Sequence, residues 1–281
     1  ICLFSGEDFA FRLGIQRPRQ EWFQWSSTGH EALQERRHWL TTDPDRHRVW
    51  TDEAEPVLQE ALALFPSAPV PPGPTKSPMD PDPAPMDRLC DGDRPEEHLT
   101  HLSCHWEPDL MLLRRDPSGE FRLVAGAVCF PSAWDLREKI GKTVDAIHAG
   151  VPTLNATLGS RIRTFLDRLT PGQVFERDNW GLAAHGERNA HPDRALPRLT
   201  PAATLDSTWL RLEHQAFRIL PESHGLLFAI HLTVHPLSKV LRTLEDSHRL
   251  ASQLRSMPDA IAAYKGILPA RETLIRQLER G

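Results

Sequence analysis

Tyrosine is almost missing from this chain: Tyr264 stands alone among 281 residues, against 8 Trp and 11 Phe. Cysteine is nearly as scarce. Cys2, Cys90, Cys104 and Cys129 include no pair at the short spacing of a zinc or iron–sulfur ligand set, which argues against a self-contained iron–sulfur centre. No apolar run reaches the eighteen or so residues that a membrane span needs, and the beginning lacks a charged stretch followed by an apolar one. On that basis the sequence reads as cytoplasmic. Neither charge dominates: 33 basic and 38 acidic residues leave a formal −5, with no basic footprint for nucleic acid or an anionic membrane. A Gly-rich phosphate loop, a nucleophile elbow and a paired-His zinc helix are also missing, which removes several common enzyme classes. A small molecule or a protein partner remains.

What is plentiful is proline, at 25 residues, and histidine, at 14. The hydrophobic fraction of 40% and charged fraction of 25% are ordinary globular usage, so the chain can bury a large core. Residues 1–30 carry Phe9, Phe11, Trp22, Phe23 and Trp25 without clean periodicity, as a segment draped over a core would. Helices are expected over 31–39 and from near Asp52 to Leu64. Between Pro66 and Pro85 nearly every second or third residue is Pro, which forbids helix and ladder alike.

Beyond it the pattern turns to strands. Runs over 109–115 and 121–130 flank Asp116-Pro-Ser-Gly119, which is hairpin-turn chemistry. Helical pieces follow over 132–140, 142–148 and 155–169, with Ser132 and Asn155 as caps. A second hairpin is expected from 207–217 and 226–235. In the first strand Trp209, Arg211, Glu213, Gln215 and Phe217 share a face; in the second, Ala229, His231, Thr233 and His235 do. If the strands pair, these polar faces can adjoin. Residues 237–254 and 271–278 read as amphipathic helix. Hairpins with helices inserted between them give an α+β fold with a mainly antiparallel sheet. The expected division is an N-terminal helical extension over 1–65, a Pro-rich loop or linker over 66–99, a core over 100–236 and a C-terminal helical segment over 237–281.

Three features carry candidate chemistry. His101-Leu-Ser-Cys-His105 looks like a c-type haem attachment, but His101 stands where the first Cys belongs, so a polar segment leading into a strand is preferred. His148 ends a short helix in Ala146-Ile-His-Ala-Gly-Val-Pro152. One imidazole offered to an apolar cavity suits a proximal haem ligand, while the bland reading is a charge complement to the helix dipole. Arg211 and Glu213 form either a solvated ion pair or a buried polar face, where the carboxylate holds a cationic amine and the guanidinium an anion.

A resemblance gives these features a context. The segment Leu123-Val-Ala-Gly-Ala-Val-Cys-Phe-Pro-Ser-Ala-Trp134 is followed in order by Glu138-Lys-Ile-Gly141, Ile147-His-Ala-Gly-Val-Pro152 and Arg177-Asp-Asn-Trp180. After these come Leu210-Arg-Leu-Glu-His-Gln215 with Leu220-Pro221, and then Tyr264-Lys-Gly266. Together these blocks resemble the haem-dependent oxidative N-demethylase family over roughly residues 100–266. The resemblance implies a PAS-like sheet carrying haem, with helical extensions at both ends. It also implies O2-dependent oxidation of a small secondary amine to formaldehyde and a primary amine. Electrons then come from separate flavin and iron–sulfur components. It implies His148 as the iron ligand, Lys139, Arg177 and Asn179 around the haem, and Glu213 on the substrate ammonium.

The chain departs from the family's pattern in two places. His214 follows the Glu where Arg is usual. The family's Ile-Arg-Thr-Tyr-x-Arg-Pro-Leu is here Ile230-His-Leu-Thr-Val-His-Pro-Leu237, which puts His231 and Thr233 where the resemblance implies a distal wall and makes His231 a catalytic candidate beside Arg211 and Glu213. These departures keep two alternatives open: a non-catalytic haem-based gas or redox sensor, and a structural protein that has lost haem.

Overall fold

The computed structural model describes residues 8–18, 26–64 and 94–280. The Pro-rich stretch between Pro66 and Pro85 and the aromatic residues Trp22, Phe23 and Trp25 lie outside them.

Six antiparallel strands form one sheet: β1 (Arg48–Trp50), β2 (Asp109–Arg115), β3 (Phe121–Ala127), β4 (Val174–Ala183), β5 (Trp209–Ile219) and β6 (Leu226–Pro236), in spatial order β1-β3-β2-β6-β5-β4. Around it lie ten α-helices among the described residues: α1 (Gly29–Thr42), α2 (Pro44–His47), α3 (Glu55–Leu64), α4 (Pro95–His105), α5 (Val144–His148), α6 (Leu154–Arg168), α7 (Leu237–Val240), α8 (Leu244–Ser256), α9 (Asp259–Tyr264) and α10 (Arg271–Arg280). The α+β expectation is met. Among the described residues no helix is long and apolar enough to cross a membrane.

Both expected hairpins form. In the first, the Asp116 carboxylate accepts from the backbone N–H groups of Ser118 and Glu120, at 2.9 and 3.1 Å, which fixes the turn. Elsewhere the elements differ from expectation. The stretch around His101 is helix, not a lead-in to a strand: Pro95 opens α4, Glu96 and Glu97 occupy its first turn, and Leu99 and Leu102 bury its inner face. The helix expected over 132–140 shrinks to a 3-10 turn at Leu136–Glu138, because Ala133 takes a left-handed φ of +62°. The helix expected over 237–254 breaks into α7 and α8, and the Thr243 hydroxyl caps α8 by accepting from the Asp246 N–H at 3.1 Å. Strands β1 and β4 were not expected. In β4 apolar residues do not alternate, since its site face carries Arg177 and Asn179.

Each sheet face packs differently. On one, Met111, Phe175, Phe217, Phe228 and Ile230 meet Leu158, Ile162 and Leu166 of α6. On the other, Leu110, Leu112, Leu227 and Ala229 meet α3 and α4, while Leu182 and Leu210 meet α8, α9 and α10. At the end of the sheet a buried ion pair locks the chain leaving β3. Arg36 of α1 donates to Asp109 at 2.7 Å, and Asp109 accepts from the N–H groups of Cys129 and Phe130 at 2.8 and 3.1 Å. With three donors directed at it, the buried Asp109 carboxylate is satisfied and the loop beyond Phe130 has a fixed start. Along the outer edge of β4, Gln16 and Glu176 exchange two backbone hydrogen bonds, both 2.9 Å.

Candidate functional site

Strand register decides which side chains meet. Asn179 lies opposite Glu213 and Arg177 opposite Gln215, while Glu213 and Gln215 lie opposite Leu232 and Ile230 on the other side. Because side chains alternate between faces, Arg177, Asn179, Arg211, Glu213, Gln215, Phe217, Phe228, Ile230 and Leu232 all share the face beneath α5 and α6. The polar faces of β5 and β6 therefore do not adjoin. The polar row of β5 abuts the apolar row of β6.

Glu213 sits at the centre of this row, half-buried. Its Oε2 accepts from Gln215 Nε2 at 2.8 Å and from Asn179 Nδ2 at 3.1 Å, and its Oε1 accepts from Ser132 Oγ at 2.8 Å. All three donors are neutral, and among the described residues no Lys, Arg or His lies within ion-pair distance of the carboxylate. A carboxylate has room for about four such bonds, so Oε1 keeps an acceptor position open.

Arg211 serves a different purpose from the one expected. Its guanidinium donates to the carbonyls of Glu187 at 2.7 Å, Arg188 at 2.8 Å and Pro131 at 3.4 Å, and to Ser132 Oγ at 3.3 Å. Burial pulls its pKa down to about 10 despite the nearby Glu213 carboxylate. It clamps two loops and holds Ser132 against Glu213. The clamp is strained next door, where Ala133 sits at positive φ. Ser132 was missed as a site residue because its position after Pro131 reads as a helix cap.

His148 ends α5, which Thr143 starts by accepting from the Ala146 N–H at 3.2 Å. Asn155 of α6 donates to the Asp145 carbonyl at 2.8 Å and so fixes the two helices to each other. The imidazole is half-buried, and its Nδ1 is buried without a hydrogen-bond partner. Burial first, then the positive charges of Arg177 and Lys139, push its pKa below the ordinary value. The imidazole is therefore neutral at neutral pH. Arg177, desolvated in turn, has an Nε that is buried and unpartnered. Ile147, Phe165, Phe175, Phe217 and Phe228 are partly buried around this region, with Phe217 and Phe228 stacked at 4.8 Å.

His231 is not part of this constellation. It faces the opposite side of the sheet, across from His214, and its Nε2 lies 2.8 Å from the buried Glu107 carboxylate. Thr233 and His235 share that far face, so of the positions where the strand departs from the family's pattern only Leu232 lies on the site face. His231 and Thr233 thus stand on the sheet face away from Glu213. Asn179, implied around the haem, bonds Glu213.

The fold and site together define a class: an α+β protein in which a neutral imidazole ends a helix and an aromatic-lined sheet face carries a carboxylate that, among the described residues, has no ion-pair partner. Within that class the assignment is specific, because a family model described as haem-dependent oxidative N-demethylase, alpha subunit-like, matches residues 77–275. The chain belongs to that family.

Proposed function

We propose that this protein binds haem through His148 and uses O2 to remove a methyl group from a small secondary amine, giving formaldehyde and a primary amine. Electrons come from separate flavin and iron–sulfur partners, as the resemblance to the family implies. We read β2 to β6, with α5 and α6 inserted between β3 and β4, as the PAS-like unit.

The residues fit haem on three observations: a neutral imidazole, a buried nitrogen on it without a partner, and an aromatic wall beside it. Arg177 and Lys139 supply positive charge for the propionates. When bound, haem supplies the activation of oxygen. The chain's own residues do the rest. Glu213 Oε1 accepts an N–H of the substrate ammonium and takes the proton the amine must lose before oxidation. Ser132, Asn179 and Gln215 hold the carboxylate still while this happens. Phe217, Phe228 and Leu232 exclude water and leave room for methyl groups beside it.

One observation carries this reading. Glu213 is a half-buried carboxylate with neutral donors and, among the described residues, no ion-pair partner, which suits a substrate ammonium. Haem-loaded protein is expected to show a Soret band that His148→Ala loses or shifts, and to release formaldehyde from secondary amines when reduced. An unchanged Soret band in His148→Ala overturns the ligand assignment. Haem binding without turnover of any amine leaves a gas or redox sensor instead.

A further inference from the structure

The Glu213 carboxylate is held unevenly. Its Oε2 takes two bonds from within the sheet, from Asn179 across the strand and from Gln215 on the Phe217 side. Its Oε1 accepts from Ser132 Oγ, which itself lies 3.3 Å from the Arg211 guanidinium. The acceptor position left on Oε1 is therefore on the Arg211 side of the row. Register sets Gly181 opposite Arg211 and Ala183 opposite Trp209, so Gly181 is the diagonal neighbour of Glu213 on the same face. A Cβ added at Gly181 would meet no heavy atom within 4 Å. Arg211 does not cover that space, because its guanidinium is tied to the carbonyls of Glu187, Arg188 and Pro131. One pair further on, the Trp209 ring is seated on Gly186, where an added Cβ would meet it at 2.9 Å. Along β4 the face thus passes from a carboxylate, over uncovered backbone, to an alanine and an indole.

Resting on the amine-site reading above, we propose that Gly181 is the specificity-determining residue of that site, and that the substrate is an N-methylalkylamine whose longer substituent lies over Gly181 toward Ala183 and Trp209. The two substituents of a secondary amine diverge from its nitrogen. With the ammonium on Oε1, the methyl to be removed points to the aromatic side, where Phe217 and Phe228 stack, and the other substituent runs along β4. A second methyl leaves Ala183 and the indole wet, whereas a chain of a few carbons covers them and removes its own apolar surface from water. Glycine also needs a reason at this position. Within a strand it loses more freedom on folding than any other residue and packs nothing, so a mid-strand glycine with open space above it marks a close approach by something else.

A purely structural reading makes Gly181 a strand position that faces water at the margin of the sheet. The two separate in a chain-length series. Binding of dimethylamine, N-methylethylamine and N-methylbutylamine to the haem-loaded full chain is measured by calorimetry for wild type, Gly181→Ala and Gly181→Val. Wild type is expected to gain about 2- to 4-fold in affinity for each added carbon. Gly181→Ala is expected to reduce that gain and Gly181→Val to abolish it, with N-methylbutylamine losing about 10-fold or more and dimethylamine losing least. Valine suits a strand and meets no heavy atom there, and Gly181→Ala repeats the test with the smallest side chain. Wild-type affinity that is independent of chain length overturns the proposal and leaves the amine reading standing. So does a gain that survives in Gly181→Val, or an equal loss on all three amines in both variants. Binding of none of the three amines by wild type overturns both.

Discussion

At the scale of single residues, the most informative side chain is Glu213, because its three hydrogen-bond donors are neutral and, among the described residues, no cation pairs with it. Glu213→Gln keeps the shape and removes the charge, and its amide nitrogen donates at the position where one carboxylate oxygen accepted. It is expected to weaken secondary-amine binding by roughly 1.5–3 kcal/mol, or about 10- to 150-fold, with little change in thermal stability. Titration calorimetry with dimethylamine checks this, and an unchanged affinity would place the amine elsewhere. The sequence already put Arg211, Glu213 and Gln215 on one face, because a period of two is visible without a structure. It did not reveal what Arg211 is for. Three of that guanidinium's partners are main-chain carbonyls, and carbonyls leave no trace in side-chain pattern. Ser132 was hidden for a related reason: its role depends on Ala133 adopting positive φ, which Ala does not advertise.

At the scale of elements, the long periodic helices were legible and the short or polar ones were not. Helices α1, α3, α6 and α10 fall close to where apolar spacing placed them, and both hairpins appear at their turn residues. Strand β4 escaped because it spends its side chains on the site rather than on the core. Pairing register also lay beyond the sequence, and register is what separates His231 from Glu213. The far-face group of His231, Glu107 and Ser26 has a measurable consequence. Burial pushes the Glu107 carboxyl up, but His231 and two bonds from Ser26 more than offset it, so the net shift is downward. A depressed carboxylate contributes stability that is present above its unfolded pKa and is lost as pH falls through the folded one. His231→Ala is therefore expected to lower the urea midpoint at pH 7, with the gap to wild type closing as the solution is acidified below the ordinary carboxylate range. A gap that stays constant with pH would show that His231 acts only by packing.

At the scale of the whole molecule, the division into a core over 100–236 and a separate C-terminal helical segment becomes harder to sustain. Leu182 and Leu210, both in the sheet, are buried by Leu250, Leu254, Ile261 and Leu274 from α8, α9 and α10. Removing residues 237–281 would uncover that face, and burying a Leu is worth about 1.5–3 kcal/mol each. The truncated chain is expected to aggregate or to lose cooperative unfolding; a soluble product with a sharp thermal transition would show the core to be autonomous. The sequence separated the two parts because the helical pattern starts where the strand pattern stops. A change of period marks a change of element, and says nothing about which faces meet.

The position of β4 has one more implication, for self-association. A strand at the margin of a sheet offers its outward amides and carbonyls to any extended chain that comes near. Here the strand that carries Arg177 and Asn179 is such a margin, and its two ends are already occupied, by Gln16 on Glu176 and by Lys265 on Trp180. Between them stands Asp178, exposed and negatively charged, opposite His214. One short backbone clasp, one lysine and one carboxylate thus shield this strand from templating a second copy, and none of the three stands on the face that carries Arg177 and Asn179.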